Sequence, residues 1–272
     1  MSRPLEITSL TKIFQTPAGP HVAVKDFKAL IQPGEFVSLL GHSGCGKSTV
    51  LSIIAGLQTA TYGGICVDGI EVDGPGLERA LVFQAPCLLP WLNTMQNVLL
   101  AVEQAHTART IREKREIAGR YLDMVGVAEF AKQYPTELSQ GTQQRVALAR
   151  ALSLEPRFLL LDEPFGVLDS MTRFELQDLL LELWERDSKT VILVTHDVDE
   201  ALYLSDRIIL MTDGPESRAG MELHVKLPRP RDRRSATNTP EYFRLRSQVI
   251  QFLEHHSKQF GETREKDRKS VV

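Results

Sequence analysis

The sequence predicts an α/β fold built on a parallel sheet, with an antiparallel β portion and a helical block set into it. Three observations carry this. Short apolar runs rich in strand formers recur at Glu35–Leu40, Phe158–Leu161 and Val191–Val194, each bounded by polar residues or glycine. Continuous rather than alternating runs fit strands buried on both faces, as parallel strands are. Between them lie stretches of helical period. Within Thr172–Asp187, Leu176, Leu179, Leu180 and Leu183 recur at helical spacing and leave charges on the opposite face.

Two regions depart from this alternation. Residues 5–31 and 62–83 read as short strands with turns, such as Val67-Asp68-Gly69, and predict an antiparallel β subdomain. Residues 93–153 carry no strand signal and read as helices broken near Gly126 and Pro135. The last thirty or so residues, with Tyr242, Leu245, Val249 and Phe252, predict a terminal helix followed by a polar tail to Val272. No internal repeat or low-complexity linker is visible.

The chain has 272 residues, 42% of them apolar, and a formal net charge of −3. That length can bury a large core. The near-neutral balance implies no general nucleic-acid-binding field. Basic residues cluster at Lys226–Arg234 and Arg264–Lys269, and both runs read as solvated surface. Cys45, Cys66 and Cys87 have neither disulfide-like nor metal-like spacing, so free thiols in a reducing cytosol are expected. The histidines form no HExxH pattern. The start, MSRPLEIT, lacks the apolar stretch of a signal peptide, and no apolar run approaches the about 20 residues that span a bilayer. Any membrane role is therefore expected to come through a partner.

The first buried run leads into Gly41-His42-Ser43-Gly44-Cys45-Gly46-Lys47-Ser48-Thr49, which matches GxxxxGK[ST]. The glycines let the backbone fold tightly and turn its N–H groups toward phosphate oxygens. Lys47 adds a point charge for the β and γ phosphates, and Ser48 a hydroxyl ligand for Mg²⁺. A helix expected from about Ser48 to about Ala55 aims its positive N-terminus at the same anion. A second apolar run, Phe158–Leu161, ends in Asp162-Glu163. Carboxylates there sit at the carboxyl edge of the sheet, where ligands bind. Asp162 is placed to hold Mg²⁺ through water, and Glu163 to polarise a water for in-line attack on the γ-phosphate.

Leu138-Ser139-Gln140-Gly141-Thr142-Gln143-Gln144-Arg145 opens a further helix, with serine and glycine at its N-terminus as an anion site. Here the sequence resembles the ABC ATPases, whose signature is LSGGQ followed by a glutamine-arginine pair. The order of motifs matches too: phosphate loop, Gln84, signature, then Asp162-Glu163-Pro164 about twenty residues on. The resemblance implies a P-loop NTPase (RecA-like) core with an antiparallel β subdomain and a helical signature-motif subdomain. It covers residues 4–234, with the core and β subdomain over about 4–86 and 155–234, the helical subdomain over about 87–154, and a terminal helix and tail over 235–272. It also implies ATP and Mg²⁺ as ligands, and a dimer of cassettes. In that dimer Ser139, Gln140 and Gly141 of one chain meet the γ-phosphate held by the other. The sequence departs from the family pattern at Gln140 and Thr142; Gln140 keeps its backbone N–H, but its side chain must find room.

Other roles follow residue by residue from the same resemblance. Phe14 stands where the family stacks a ring on adenine, with a core phenylalanine as the alternative. Gln84 matches the glutamine that touches Mg²⁺ and the attacking water. Asp169 matches the loop that crosses the dimer interface, or else caps a helix. His196 matches the switch histidine that hydrogen-bonds the γ-phosphate. The apolar loop Cys87–Leu92 either docks a helix of a permease or packs the subdomain junction. The segments Gly74-Pro75-Gly76, Leu88–Trp91, His196–Ala201 and Leu227–Arg231 are similar to nitrate, sulfonate and taurine importer cassettes, and the MTDGP and LPRPRDR stretches to the nitrate/nitrite/cyanate branch. The resemblance thus implies a peripheral ATPase on the cytoplasmic face of the inner membrane. Its partners would be a second cassette, like or unlike, transmembrane permease subunits and, indirectly, a solute-binding protein, with no nucleic acid. A soluble ABC ATPase acting on DNA or ribosomes would need two cassettes or a long coiled coil, which 272 residues do not hold. A regulatory cassette that hardly turns over has Gln140 as its support, against Lys47, Asp162, Glu163 and His196.

Overall fold

In chain order the strands are β1 (Leu5–Thr16), β2 (Gly19–Ile31), β3 (Phe36–Leu40), β4 (Tyr62–Val67), β5 (Ile70–Glu71), β6 (Arg79–Val82), β7 (Phe158–Asp162), β8 (Thr190–Thr195), β9 (Arg207–Met211) and β10 (Ala219–His224). The helices are α1 (Lys47–Ile54), α2 (Thr94–Ala105), α3 (Ile111–Met124), α4 (Gln140–Leu152), α5 (Ser170–Asp187), α6 (Val198–Leu204), α7 (Arg233–Ala236) and α8 (Pro240–Lys269). This computed structural model describes residues 4–187 and 189–269, with side chains through residue 256. The chain divides into two compact units, one formed by residues up to Gly74 and from Leu193 onward, the other by Pro75–Ile192.

In the first unit β2, β1, β4 and β5 form an antiparallel sheet in that order. Leu5 and Ile7 point inward while Glu6 and Thr8 face out, the period of a half-buried strand. β4 and β5 are joined through Asp68-Gly69 at φ 56° and 78°, the left-handed pair that a tight hairpin turn requires. The parallel part is built from the predicted apolar runs. All five residues of β3 and all six of β8 are buried. β3 lies between β9, its parallel partner, and the C-terminal half of β8, and β10 closes the edge antiparallel to β9. Arg207, the first residue of β9, is buried and forks onto Glu35 at 2.7 and 2.9 Å, while its other amino group meets Glu222 at 2.7 Å.

The segment Lys226–Arg234 is not the solvated surface the charge run suggests. Arg229 donates to the Leu204 carbonyl at 2.8 Å and to Asp206. Arg231 is buried and donates to the Tyr203 carbonyl at 2.8 Å. Arg233 stacks on the Tyr203 ring at 3.9 Å. The guanidinium groups satisfy the last carbonyls of α6, which no residue of α6 can reach. The Arg264–Lys269 side chains lie outside the described residues.

The terminal helix is present and longer than expected: α8 continues through Lys269, so most of what reads as polar tail is helical backbone, and residues 270–272 lie outside the described residues. Tyr242, Leu245 and Val249 of α8 pack with Leu40, Leu202, Ile208 and Leu210 in one buried cluster. The Tyr242 hydroxyl donates to Asp199 at 2.6 Å. Burial and that carboxylate push the phenol above its ordinary range, so it remains a donor.

In the second unit β6 pairs parallel with β7, from Arg79 opposite Phe158 to Val82 opposite Leu161, and β7 neighbours the N-terminal half of β8. This corrects the assignment of residues 62–83 to the antiparallel subdomain as a whole. A four-residue strand is too short for its pattern to show which partner it takes. The predicted helical block is α2, α3 and α4, with 3-10 turns at Ala128–Phe130 and Pro135–Glu137. Asn93 with Gln96, and Thr110 with Glu113, form reciprocal capping boxes that start α2 and α3. α3 stops at Gly126 (φ 71°), where the Val127 amide bonds the Leu122 carbonyl at 2.9 Å and the Gly126 amide that of Asp123 at 3.0 Å.

Leu245→Ala empties a fully buried position between α8 and the sheet. Chemical denaturation of this variant should show a loss of about 2–5 kcal/mol. A loss below about 1 kcal/mol would mean that α8 is not docked as described.

Candidate nucleotide-binding and hydrolysis residues

The phosphate loop begins where β3 ends. Gly44 and Gly46 adopt φ of 83° and 92°, and Gly46 is the N-cap of α1 without any side-chain cap. The first amides of α1 are therefore not consumed by a capping side chain. A Cβ on Gly46 would sit 2.6 Å from the Val24 methyl and 3.3 Å from the Ala23 carbonyl; one on Gly41 would sit 2.8 Å from the Cys45 sulfur and 3.1 Å from the Met211 carbonyl. Both glycines are thus required by close approach. Lys47 is buried and folds back over the loop, its Nζ donating to the Gly41 carbonyl at 2.8 Å and the His42 carbonyl at 3.0 Å. Ser43 and Ser48 are exposed, and Thr49 half-buried. Burial pushes the Cys45 thiol up, against the pull of Lys47, so it is an inert filler of the loop rather than a nucleophile.

Asp213, just past β9, lies 2.8 Å from His42 Nδ1 and forms a hydrogen bond with it. Sequence reading named His42 only as a loop member, and the MTDGP stretch only as a point of resemblance. Phe14 is half-buried near the end of β1, opposite His21, with the Lys12 ammonium 5.1 Å from its ring centre. It is not a core ring. His196 is exposed at the end of β8. The turn holding it is fixed on both sides: Thr195 bonds the buried Glu200 carboxylate, and Asp197 caps α6 through the Asp199 and Glu200 amides at 2.9 and 3.1 Å.

The second unit holds the other predicted residues. β7 delivers Asp162, half-buried, at its last position. Glu163 follows with φ 47°, a left-handed conformation that costs strain for any residue but glycine and turns its side chain away from the strand's alternation. The chain then closes on itself through the Gly166 amide and Glu163 carbonyl at 3.1 Å. A Cβ on Gly166 would lie 3.2 Å from Gln84 Nε2 and 3.8 Å from Glu163 Oε2. The side chains of Gln84 and Glu163 thus both lie beside the α-carbon of Gly166.

Ser139 caps α4, accepting from the Thr142 amide at 3.2 Å and sharing a hydrogen bond with the Thr142 hydroxyl at 2.9 Å. Gln140 is exposed, so its side chain finds room at the surface. Gly141 is buried, and a Cβ there would collide with the Thr172 methyl. Asp169 caps α5 through the Met171 and Thr172 amides, both at 3.1 Å, and the Thr172 hydroxyl and amide hold its carboxyl below the usual range. Three polar residues support this arrangement: Gln144, which the sequence marks only as part of the signature's glutamine-arginine pair, and Asn97 and Arg150, which it does not single out. Asn97 bonds Leu89 and Leu92 from within the helical block, Gln144 reaches the Phe83 carbonyl, and Arg150 reaches those of Pro86 and Cys87. Their partners lie on a loop that the sequence alone does not place beside these helices.

Comparison with known proteins bears on this arrangement. A family described as ABC transporter matches residues 24–166. The chain is 44% identical over 249 residues to the nitrate import ATP-binding protein NrtD of Synechococcus elongatus, covering 92% of this chain and 91% of that one. It is 44% identical, over the same length, to the bicarbonate transport ATP-binding protein CmpD of the same organism, of which it covers 90%. It is 48% identical to the nitrate import protein NrtC of Synechocystis, but spans only 37% of that longer chain. Among solved structures, the dimeric bacterial ABC transporter cassette MJ0796 is 36% identical with a TM-score of 0.74, covering 82% of this chain and 99% of that one.

Gly46→Ala forces a left-handed alanine into the Val24 methyl. Thermal unfolding with and without Mg-ATP should show a lower Tm and no upward shift on adding nucleotide; a normal nucleotide-dependent shift would contradict the phosphate-loop account.

Proposed function

The chain belongs to the ABC transporter family as an ATP-hydrolysing cassette, and we propose that it drives import of a small oxyanion, nitrate first, through a permease made by other chains. The observation that carries the hydrolytic reading is the pairing of Gln84 with Glu163 over Gly166. Glu163 accepts a proton from the attacking water, and Gln84 orients that water. Lys47 and the loop amides take the charge of the β and γ phosphates, and His196 hydrogen-bonds the γ-phosphate. The half-exposed Phe14 ring stacks on adenine.

The donors read for magnesium, Ser48, Gln84 and Asp162, are all hard oxygens, which is the ligand chemistry that ion takes. Bound there, it would neutralise charge on the phosphate oxygens. Ser139, Gln140 and Gly141, at the start of α4 where Ser139 and Gln140 are exposed, serve as the anion site for ATP held by a second cassette. Dimeric MJ0796 supports that assembly, and Asp169 belongs to the same interface in this reading. The partner is a second copy or a longer cassette, since the chain is similar to relatives of both lengths. Hydrolysis removes a group gripped by both subunits and lets them part.

Among the described residues no helix is long and apolar enough to cross a membrane. Trp91, 69% exposed, is offered by a loop that Asn97 braces from inside. A rigid exposed aromatic of this kind suits a permease helix, and the chain would work on the cytoplasmic face of the membrane with a solute-binding protein upstream. Nitrate is favoured by the NrtD and NrtC relatives; bicarbonate is the second reading, because CmpD is equally similar, and sulfonate or taurine is the more distant one.

Glu163→Gln should bind ATP, lose turnover by a factor of about 100 or more, and elute as a dimer with ATP. Cells carrying it as their sole copy should lose nitrate uptake and keep bicarbonate uptake. Unaltered hydrolysis would remove Glu163 from its role, and loss of bicarbonate uptake alone would select the second solute. Trp91→Ala should hydrolyse ATP normally yet fail to co-purify with the permease; intact co-purification would count against the docking loop.

A further inference from the structure

Gln84 is exposed and stands at the head of an irregular segment, residues 83–93, before α2 begins. Three bonds hold the front of that segment, and all come from one helix. Gln144 Nε2 donates to the Phe83 carbonyl at 3.1 Å, Arg150 Nη2 to Pro86 at 3.1 Å, and Arg150 Nη1 to Cys87 at 2.9 Å. The two donors are six residues apart on α4, about 9 Å of helix, so residues 83–87 run alongside α4 and are held at either end. α4 is the helix whose first residues are the signature.

Gln144 is 1% exposed, and its Oε1 has no hydrogen-bond partner. It lines a small pocket otherwise formed by Val82, Leu148, Leu161, Pro164 and the apolar side chains of Phe165, Leu176 and Leu180. A buried amide with half its polar capacity unused is unfavourable compared with an apolar side chain of the same size. Its single made bond is therefore what distinguishes it from methionine at this position. That bond fixes the carbonyl immediately before Gln84.

We propose that Gln144 and Arg150 are positioning residues for Gln84, and that α4 is a rigid bar linking the signature serine at its start to the water-orienting glutamine it grips along its length. This rests on the roles given to Gln84 and Ser139 above. Contact of Ser139 with ATP on a second cassette is transmitted through Gln144, about 7.5 Å further along the same helix, to the Gln84 of the same chain. Engagement of one nucleotide thereby sets the geometry for cleaving the other. Arg150 suits the task because a guanidinium presents two donors in a fixed fork, matching two successive carbonyls.

The test uses the full chain and Mg-ATP. Gln144→Met keeps an unbranched side chain of similar volume and removes the donor. It should lower kcat by about tenfold or more while leaving KM for ATP within about twofold and Tm no lower than that of the parent. Amide exchange over residues 83–87, without nucleotide, should quicken. In a cycle with Gln84→Ala, the double variant should be no slower than Gln84→Ala alone, since the bond acts only through Gln84. An unchanged kcat, a loss carried by KM, or losses that multiply in the double variant would overturn the proposal. Should Gln144→Met fail to fold, Arg150→Lys, which keeps the charge but loses the fork, gives the same readings. Gln84→Ala with normal kcat removes Gln84 from the reaction and defeats both readings; a slow Gln84→Ala beside a normal Gln144→Met defeats only this one.

Discussion

The phosphate loop depends on a backbone that bends where side chains cannot follow. Gly46 opens α1 at φ 92° with Ala23 and Val24 against its α-carbon, and Gly41 leaves β3 against the Met211 carbonyl. The loop is tight because strands on either side of it are held closely. β3 is fully buried, pairs in parallel with β9, and is anchored at its start by Glu35 on Arg207. The pair fixes the start of β3, and because Glu222 also meets Arg207 the guanidinium keeps a carboxylate on each side. The phosphate loop thus inherits its shape from the sheet below it.

The second unit applies the same constraint to side chains. Gln84 and Glu163 both approach the α-carbon of Gly166, and Gly141 is small because the start of α5 presses on the start of α4. Ser139 and Asp169 cap the two helices that meet there. Glu163 holds a left-handed backbone that a glycine would adopt without strain. A carboxylate placed at this strained position fits a role for the side chain rather than for the backbone.

Buried polar groups do the remaining fastening, and each is used for one purpose. Asn97 braces the loop that carries Trp91. Arg229 and Arg231 close the end of α6, so the helix that follows His196 is finished by residues from a segment some 25 positions later. α8 covers the far side of that helix with Tyr242 and Leu245. The turn bearing His196 therefore lies between two fixed points, its own caps and this distant clasp.

The sequence by itself determined the parallel strands, the phosphate loop, the paired carboxylates, the helix caps at Ser139 and Asp169, and the breaks at Gly126 and Pro135. Each of these is a local pattern: a run buried on both faces, a glycine needing positive φ, or a short polar side chain before a helix. What only the tertiary structure decided depends on partners far along the chain. Four residues at 79–82 could not declare a parallel partner at 158–161, since short strands carry no record of their neighbours. A run of arginines at 229–233 looks like solvent-facing charge until α6 offers bare carbonyls for it to satisfy. Gln144 is one more polar residue in a helix until its amide is seen on the Phe83 carbonyl. Local geometry is written in adjacent residues, whereas the satisfaction of buried polar groups is settled only when the fold brings donor and acceptor together.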